Sequence, residues 1–270
     1  MQTFKYFCEG HLPYGGNPFD TISGRTLVFF DTETTGLSPG NSQVTEIAAL
    51  IINGDTLTEE GEFHVHIKLD DDTLQKIEDE KDSKRKFTVA KILDMTNYYN
   101  SKATASEGEA IQGLSEFIPQ DAILIAHNAS FDLKMVNTRA RINNVSPISH
   151  FSKVMDTLMM SRQFFLPASQ ELEAAGDEEA KRHLDILTKK WNWKKTKRAI
   201  LSSRLGDLAK ALEQDLTDWH QALADVRGTI EIFKKFKEFF DKHYNKGLQD
   251  TSDFKRRYAR TLGKTKWQNK

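Results

Sequence analysis

FFDTETTGL, residues 29–37, sets two carboxylates two positions apart, directly after a short apolar run. The overlapping stretch RTLVFFDT, residues 25–32, has the apolar character of a buried strand. Like charges held close together at the end of such a strand are costly unless one is protonated or a cation lies between them. Asp31 and Glu33 are expected on opposite faces of a regular strand, and they can share a site if the strand ends there and the chain bends, which residues 34–36 permit.

Predicted strands and helices alternate along the rest of the chain. Asn53-Gly54 is a strong hairpin turn, and Ser106 with Glu109 forms a capping box that begins a helix. After the strand at 25–32, the predicted strands cover residues 43–54, 61–69, 122–127 and 152–157, and the predicted helices cover residues 106–117, 128–143, 157–165, 170–190, 203–213 and 218–240. Three meandering strands followed by strands that alternate with helices indicate an α/β domain with a mixed sheet.

Composition and length set the organisation that we expect. Of the 270 residues, 38% are hydrophobic and 29% charged, which suits a soluble globular protein. We predict one domain over residues 25–240, an N-terminal extension over 1–24 and a basic C-terminal tail over 241–270. No stretch reaches the roughly 18 consecutive apolar residues of a membrane span, and the first residues lack a secretory pattern. We therefore expect no membrane partner and an intracellular location, cytoplasmic or nucleoid-associated.

The single cysteine, Cys8, excludes an internal disulfide and a multi-cysteine zinc site. The net charge of −1 hides a segregated distribution, because residues 55–82 are strongly acidic while 181–204 and 242–270 are strongly basic. A charged run is often only a solvated face. The basic segments KKWNWKKTKR and FKRRYARTLGKTKW also carry aromatic residues, however, and that combination favours a polyanion partner.

Two further acids follow apolar elements. Asp132 lies in IAHNASFDLKMVN, in the first turn of a predicted helix, and Asp225 lies in WHQALADVRGTIEIF, five residues after His220. Singly, each has an ordinary explanation, since an Asp in a first helical turn favours the helix dipole. Together with Asp31 and Glu33 they place four acids at strand ends and on helices that would cover one sheet. Hard cations prefer oxygen, so these are the ligands that a pair of Mg²⁺ or Mn²⁺ ions needs.

Three of these segments resemble the sequence motifs of one enzyme family. FDTETTGL, AHNASFD and HQALAD are similar, in this order, to the three exonuclease motifs of the DnaQ-like (DEDDh) 3′→5′ exonucleases. VMDTLMMSR, LGDLAKALE and ILDMTNYY resemble segments between those motifs, so that the resemblance covers about residues 25–240. The chain departs from the family in a long basic insertion, about 168–200, and at both termini.

The resemblance implies a ribonuclease-H-like fold, with a mixed five-stranded sheet flanked by helices, and it also implies a chemistry. The four acids would hold two divalent cations, Mg²⁺ or Mn²⁺, beside the terminal phosphodiester. His220 would be the general base that takes the proton of the attacking water, for which an ordinary pKa of about 6.5 is suitable. The catalytic set that the resemblance implies comprises Asp31, Glu33, Asp132, His220 and Asp225.

The resemblance also implies contacts with the substrate. The turn that contains Thr34, Gly36 and Leu37 would meet the terminal nucleotide, with Leu37 wedged against the base. Asn128 and Phe131 match family positions near the strand, although Asn128 is better explained as a helix cap and Phe131 can equally belong to the core. Glu46, in VTEIAAL, is interpreted as a structural hydrogen-bonding residue rather than a metal ligand.

Three functions remain open from the sequence. The first is a 3′→5′ exonuclease acting on DNA in proofreading or repair, with a possible polymerase or replication partner. The second is an enzyme that trims the 3′ ends of RNA, and no residue separates it from the first. The third is a non-catalytic module that binds nucleic acid or tethers a polymerase. Because all four acids and the histidine are present, the sequence favours an enzyme that acts on a free 3′ end.

Overall fold

The computed structural model of the protein describes residues 18–79, 102–148, 153–193, 196–214 and 221–244. Its main sheet has five strands in the order β3-β2-β1-β4-β5. The strands are β1 Thr26–Thr34, β2 Val44–Asn53, β3 Glu59–His66, β4 Ile123–Ala126 and β5 Lys153–Asp156. The β1–β2 and β2–β3 pairs are antiparallel, and the β1–β4 and β4–β5 pairs are parallel. The predicted mixed five-stranded sheet is confirmed.

Helices cover both faces of this sheet. They are α1 Asp71–Asp79, α2 Glu107–Phe117, α3 Ala129–Ile142, α4 Thr157–Met160, α5 Leu166–Ala174, α6 Glu178–Leu187, α7 Leu205–Ala211 and α8 Ala222–Tyr244, with a π-helical turn at Ser161–Phe165 after α4. The predicted capping box at Ser106 and Glu109 is present at the start of α2. Within the described parts of the chain, no helix combines the length and the apolar character that a membrane crossing requires.

The alternation of residues along β1 divides the core into two layers. Leu27 and Phe29 belong to the cluster that packs under α8, whereas Val28 and Phe30 belong to the cluster under α2 and α3. Successive side chains of a strand point to opposite faces of the sheet, so one apolar run supplies both layers. Asp31, two positions after Phe29 on β1, therefore points to the face of the sheet that α8 covers.

The prediction for the insertion is partly wrong. A single helix was expected over residues 170–190, but α5 ends at Ala174, α6 begins after Asp177, and β6 Thr188–Trp193 pairs with β7 Thr196–Leu201 as a hairpin. The stretch TKKWNW from Thr188 contains a β-branched threonine and two tryptophans, and β-branched and aromatic residues favour strands. The insertion is thus helical only in its first part. The side chains of residues 190–199 lie outside the described part of the structure.

Both predicted domain boundaries fall close to packed residues. Phe19 and Ile22, in a 3₁₀ helix at Pro18–Ile22, belong to the core under α8, where the rings of Phe19 and Phe233 are 5.2 Å apart. At the other end α8 continues to Tyr244, and Lys242 Nζ lies 2.5 Å from Glu179 Oε2. The division of the chain at residues 24 and 241 stays a prediction. Residues 1–17 and 245–270, and the predicted loop segment ILDMTNYY, lie outside the described residues.

Candidate active site

Asp31 and Glu33 lie on the same face of β1. The strand continues through both residues to Thr34, and its pairing with β2 shifts only between Glu33 and Thr34. Residues two apart on a strand point to the same side. The two carboxylates therefore need no bend to share a site, and the expected end of the strand at these acids is wrong. They continue the face of Phe29, the face that α8 covers.

The third acid comes from α8. Asp225 lies in the first turn of α8, and that helix packs against β1 and β2. Asp31, Glu33 and Asp225 each offer a carboxylate oxygen, and these oxygens all lie within 4.8 Å of one another. We call these three residues the acid cluster. The structure thus brings together three of the four predicted metal ligands, although they come from opposite ends of the sequence.

The fourth predicted ligand, Asp132, lies beside the acid cluster. It is in the first turn of α3 and only 2% exposed. Its Oδ1 accepts hydrogen bonds from the backbone N–H of Thr32, at 3.1 Å, and from Thr32 Oγ1, at 2.7 Å. Thr32 lies between Asp31 and Glu33 on β1, so this contact ties α3 to the strand that carries both acids.

The electrostatics of Asp31 show how crowded the site is. Burial raises its pKa well above the ordinary value, and Asp132, Glu33, Asp225 and Glu46 raise it further. Each of these neighbours is an acid, and a second negative charge nearby disfavours ionisation. Asp31 therefore keeps a proton more readily than an ordinary aspartic acid as long as no cation is bound.

Asp132 and Asp225 are perturbed in the same direction. Burial raises the pKa of Asp132 to about 7, against the hydrogen bonds from Thr32, which lower it. Burial, and then the charge of Glu46, raise the pKa of Asp225 to about 6. Three carboxylic acids with raised pKa values around one strand end are typical of a functional site rather than of a stabilising network.

The donor set fits a hard divalent cation. Mg²⁺ binds oxygen at about 2.0–2.1 Å in an octahedron, so neighbouring ligand oxygens lie about 2.9 Å apart. The oxygens of the acid cluster, within 4.8 Å of one another, approach that separation. Small rotations of Asp31, Glu33 and Asp225 would close them on an ion. Because a cation offsets the mutual repulsion of the carboxylates, these residues are suited to hold it.

Glu46 lies directly opposite Glu33 on the neighbouring strand β2. It is fully buried, and its Oε1 lies 2.7 Å from His64 Nε2 on β3. The hydrogen bond expected of Glu46 is present in this contact, and the same two residues also belong to a group of potential metal ligands. Its charge also raises the pKa values of Asp31 and Asp225, so Glu46 adds to the negative potential at the site.

The turn after β1 presents an apolar side chain to solvent. Leu37 is 85% exposed, which is unusual for a leucine. The turn before it is held by Thr34 Oγ1, which donates to the carbonyl oxygen of Gly36 at 2.8 Å. A Cβ atom on Gly36 would lie 2.8 Å from Ser42 Oγ, so a larger residue would require the Ser42 side chain to move. The turn therefore holds Leu37 in an exposed position next to the acid cluster.

The prediction that Asn128 caps α3 is wrong. Asn128 occupies the cap position with φ = 74° and ψ = 45°, and its side chain makes no capping hydrogen bond. Asparagine tolerates this left-handed conformation better than most residues. Its side chain is exposed and remains available for a ligand. Phe131 is half-buried and packs on the edge of the core under α3, in agreement with its core interpretation.

Sequence reasoning missed Asp156, which holds Asn128 in place. Asp156 is only 3% exposed, and its Oδ1 accepts hydrogen bonds from the backbone N–H groups of Asn128, Leu158 and Met159 at 3.0, 2.9 and 3.4 Å. Burial raises its pKa, and its charge raises that of Asp132. An acid directly after the apolar strand β5 was the available signal, the same pattern that pointed to Asp31.

The predicted general base cannot be placed. His220 lies in the segment 215–220, outside the described residues, whereas Asp225 and the rest of its helix are described. A different histidine, His127, directly follows β4, and its Nδ1 lies 3.0 Å from Thr157 Oγ1. Burial lowers the pKa of His127 to about 4, so its imidazole is neutral at physiological pH.

Curated relatives of the chain are named as DNA polymerases. The chain is 26% identical over 238 residues to "DNA polymerase III PolC-type" of Caldanaerobacter subterraneus subsp. tengcongensis, which covers 86% of this chain and 13% of that protein. The enzyme of the same name from Staphylococcus haemolyticus is 27% identical over 238 residues, covering 85% and 13%. The chain thus spans about an eighth of the length of these relatives.

Solved structures and a family model agree with the fold. Escherichia coli exonuclease I in complex with a dT13 oligonucleotide superposes with a TM-score of 0.59 at 20% identity, covering 82% of this chain and 43% of that one. The apo form of exonuclease I gives a TM-score of 0.56 at 20% identity, covering 81% and 45%. At this identity the likeness establishes the ribonuclease-H-like fold. A family model described as "Exonuclease" matches residues 28–233, and the chain therefore belongs to the RNase T exonuclease family, within the DnaQ-like nucleases.

Proposed function

We propose that the protein is a metal-dependent 3′→5′ exonuclease that releases nucleoside monophosphates from a free 3′ end of DNA. The observation that carries this proposal is the acid cluster, because Asp31, Glu33 and Asp225 converge within 4.8 Å at the end of β1. Burial and the charges of the surrounding acids raise the pKa of Asp31, and such an arrangement is destabilising in the absence of a cation. A site built at that cost is most simply explained by metal-assisted hydrolysis of a phosphodiester.

Each residue has a role in this proposal. Asp31, Glu33 and Asp225 hold two divalent cations, Mg²⁺ or Mn²⁺, with Asp132 alongside. When bound, these cations supply Lewis acidity toward water and phosphate and offset the charge that develops in the transition state. His220, five residues before Asp225 in the sequence, takes a proton from the attacking water. His127 is less suited to this task because its lowered pKa makes it a weak base.

The substrate end is held by the turn after β1 and by the start of α3. The exposed side chain of Leu37 would pack against the terminal base, and the backbone of Thr34 and Gly36 would contact its sugar. Asn128 and Phe131 would contact the strand from the opposite side. Such contacts recognise an unstacked end of any sequence, which is the selectivity that an exonuclease requires.

DNA is the favoured substrate because of the relatives. The polymerases of which this chain matches a part are named DNA polymerases, and the similar exonuclease I structure contains a dT13 oligonucleotide. The polymerase names also support a replicative polymerase as the partner of this chain. Gel filtration of the purified protein with such a polymerase tests that pairing, and separate elution of the two proteins would contradict it.

The test is digestion of single- and double-stranded DNA and RNA, labelled at either end. We expect Mg²⁺-dependent release of mononucleotides that begins at the 3′ end of DNA, and EDTA should abolish it. Asp31→Asn is the matched inactive control, and His220→Ala should lose roughly 10²–10⁴-fold in rate while keeping metal binding. Full activity in EDTA would contradict the metal mechanism, and preferential digestion of RNA would support the trimming function instead. Binding without digestion would indicate a non-catalytic module.

A further inference from the structure

A second group of potential metal ligands lies on the same face of the sheet as the acid cluster. The strand pairing places Glu33 of β1 opposite Glu46 of β2, and Glu46 opposite His66 of β3. His64 is two positions from His66 on β3 and therefore points to the same side. Two neighbouring strands, β2 and β3, thus bring Glu46, His64 and His66 to one spot at the edge of the sheet.

The donor atoms of these residues are close enough to share one ion. A carboxylate oxygen of Glu46 and a ring nitrogen of each histidine lie within 4.8 Å of one another. Ligands held at about 2.0–2.1 Å around a tetrahedral zinc ion are about 3.3 Å apart. Glu46 Oε1 and His64 Nε2 are already 2.7 Å apart, and the two imidazole rings have a centroid distance of 4.8 Å at an angle of 66°. Small side-chain rotations would therefore complete a three-ligand site.

Burial and access also suit a metal site. Glu46 is fully buried on the central strand β2, which fixes its position. His66 is half-buried and His64 is exposed, on a strand that forms the edge of the sheet. An ion can thus enter from solvent, and a water molecule can complete its coordination.

We propose that Glu46, His64 and His66 form a third cation site, distinct from the acid cluster. Two imidazoles and one carboxylate favour Zn²⁺, Co²⁺ or Ni²⁺ over Mg²⁺, because borderline metals bind nitrogen well whereas Mg²⁺ prefers oxygen. The acid cluster, with oxygen ligands alone, has the opposite preference. The two neighbouring sites therefore select different ions, and Glu46 stands between them.

The test titrates Co²⁺ or Zn²⁺ into the metal-free full-length protein in the presence of saturating Mg²⁺, which occupies the acid cluster. We expect one ion per chain, measured by calorimetry and by the visible absorption of Co²⁺. His64→Gln, His66→Gln and Glu46→Gln should each weaken binding by at least about 10–100-fold, the range known for changes to outer-shell partners of a metal site. The matched control, Asp31→Asn with Asp225→Asn, should bind the ion as the wild type does.

Two outcomes would overturn the proposal. Unchanged affinity in both histidine variants would show that the ion binds elsewhere, and loss of the ion in the Asp31→Asn, Asp225→Asn control would assign it to the acid cluster. If the histidine variants do not fold, Glu46→Gln becomes the deciding variant. The measurement is the rise of Tm on addition of Zn²⁺, compared between Glu46→Gln and the wild type. An equal rise in Glu46→Gln contradicts the site. None of these measurements depends on nuclease activity, so the proposed function can fail independently.

Discussion

Two groups of acids in this protein, one buried and one half-buried, are built in opposite ways. Glu107, which is 4% exposed, accepts hydrogen bonds from Arg139 Nε at 2.9 Å and Nη2 at 2.6 Å, from Asn143 Nδ2 at 2.6 Å and from the backbone N–H of Val44 at 2.8 Å. The strongest charged influences on Asp31 in the acid cluster, by contrast, are four other acids.

The surroundings of Glu107 are those expected of a structural carboxylate, and the surroundings of Asp31 are those expected of a functional one. Glu107 has its counterion within the chain, and its contacts join α2 to α3 and to the start of β2. A buried charge that is paired and hydrogen-bonded is tolerated, whereas an unpaired one is costly. In the proposed function an ion from solvent compensates the acid cluster, so removal of an acid should have opposite consequences for stability in the two places.

The largest effect is expected at Asp31. Asp31→Asn should remove nearly all turnover, because the cluster loses a charged ligand between Glu33 and Asp225. The metal-free variant should nevertheless be at least as stable as the wild type, since repulsion is relieved. Single-turnover digestion and urea denaturation in EDTA measure the two quantities. If Asp31→Asn is inactive because it is unfolded, Asp31 contributes to stability as Glu107 does, and the contrast between the two acids is contradicted.

Breaking the compensated pair should affect stability instead. Arg139→Met leaves the Glu107 carboxylate buried without its cation and should lower the free energy of unfolding by about 3–5 kcal/mol. Adding Glu107→Gln to that variant should recover part of the loss, because the uncompensated charge is gone. Urea denaturation of both variants gives the comparison, and turnover per folded molecule should stay at the wild-type level. Equal stability of the single and the double variant would contradict the charge argument.

The stability of the metal-free protein should depend on pH. This dependence tests the electrostatics of Asp132 beside the acid cluster and requires no measurement of activity. The unfolded chain releases the proton of Asp132 near its ordinary pKa of 3.8, whereas the folded protein holds it to about 7. The folded state thus binds more protons between these values, and its stability falls as the pH rises from about 4 to 7.

Asp132→Asn should flatten this fall by about 1–4 kcal/mol, as measured by urea denaturation at several pH values. Saturating Mg²⁺ should also flatten the fall in the wild type. The matched control is Glu107→Gln, which should leave the fall of stability between about pH 4 and 7 unchanged. A slope that is the same in Asp132→Asn and wild type would show that Asp132 does not hold its proton in the folded state.

The smallest effect is expected at Leu37. Because this side chain is 85% exposed, Leu37→Ala should change the free energy of unfolding by less than about 0.5 kcal/mol. If Leu37 packs against the terminal base, KM should rise by about 5–30-fold, which corresponds to about 1–2 kcal/mol of lost apolar contact. Ile142→Ala, another exposed apolar residue at 49%, is the control. An equal KM in both variants would remove Leu37 from the substrate site.

Much of the fold could be predicted because its signals are local. Apolar runs marked β1, β2 and β4, Asn53-Gly54 marked the hairpin between β2 and β3, and the capping box marked the start of α2. The hairpin at residues 188–201 was missed because its lysine-rich first strand, β6, is also compatible with a helix. The choice between helix and strand depends on pairing with β7, which the local sequence of β6 does not show.

The chemical nature of the candidate site was already determined by the sequence. Four acids follow apolar elements, and carboxylates in such positions need a proton or a cation whatever the details of the fold. Only the tertiary structure decided which of them meet. Asp225 reaches Asp31 and Glu33 because α8 packs across β1, whereas Asp132 is drawn toward Thr32 from the other layer of the sheet.

The structure also decided the surroundings that set the electrostatics of these acids. The register of β2 and β3 places Glu46 beside Glu33 and puts both histidines of β3 within reach of it. The physical reason is that a pattern along the chain specifies which face a side chain points to, but distances between strands and helices depend on packing. Desolvation and charge–charge repulsion depend on those distances, so the raised pKa values of Asp31 and Asp225 belong to the folded protein alone.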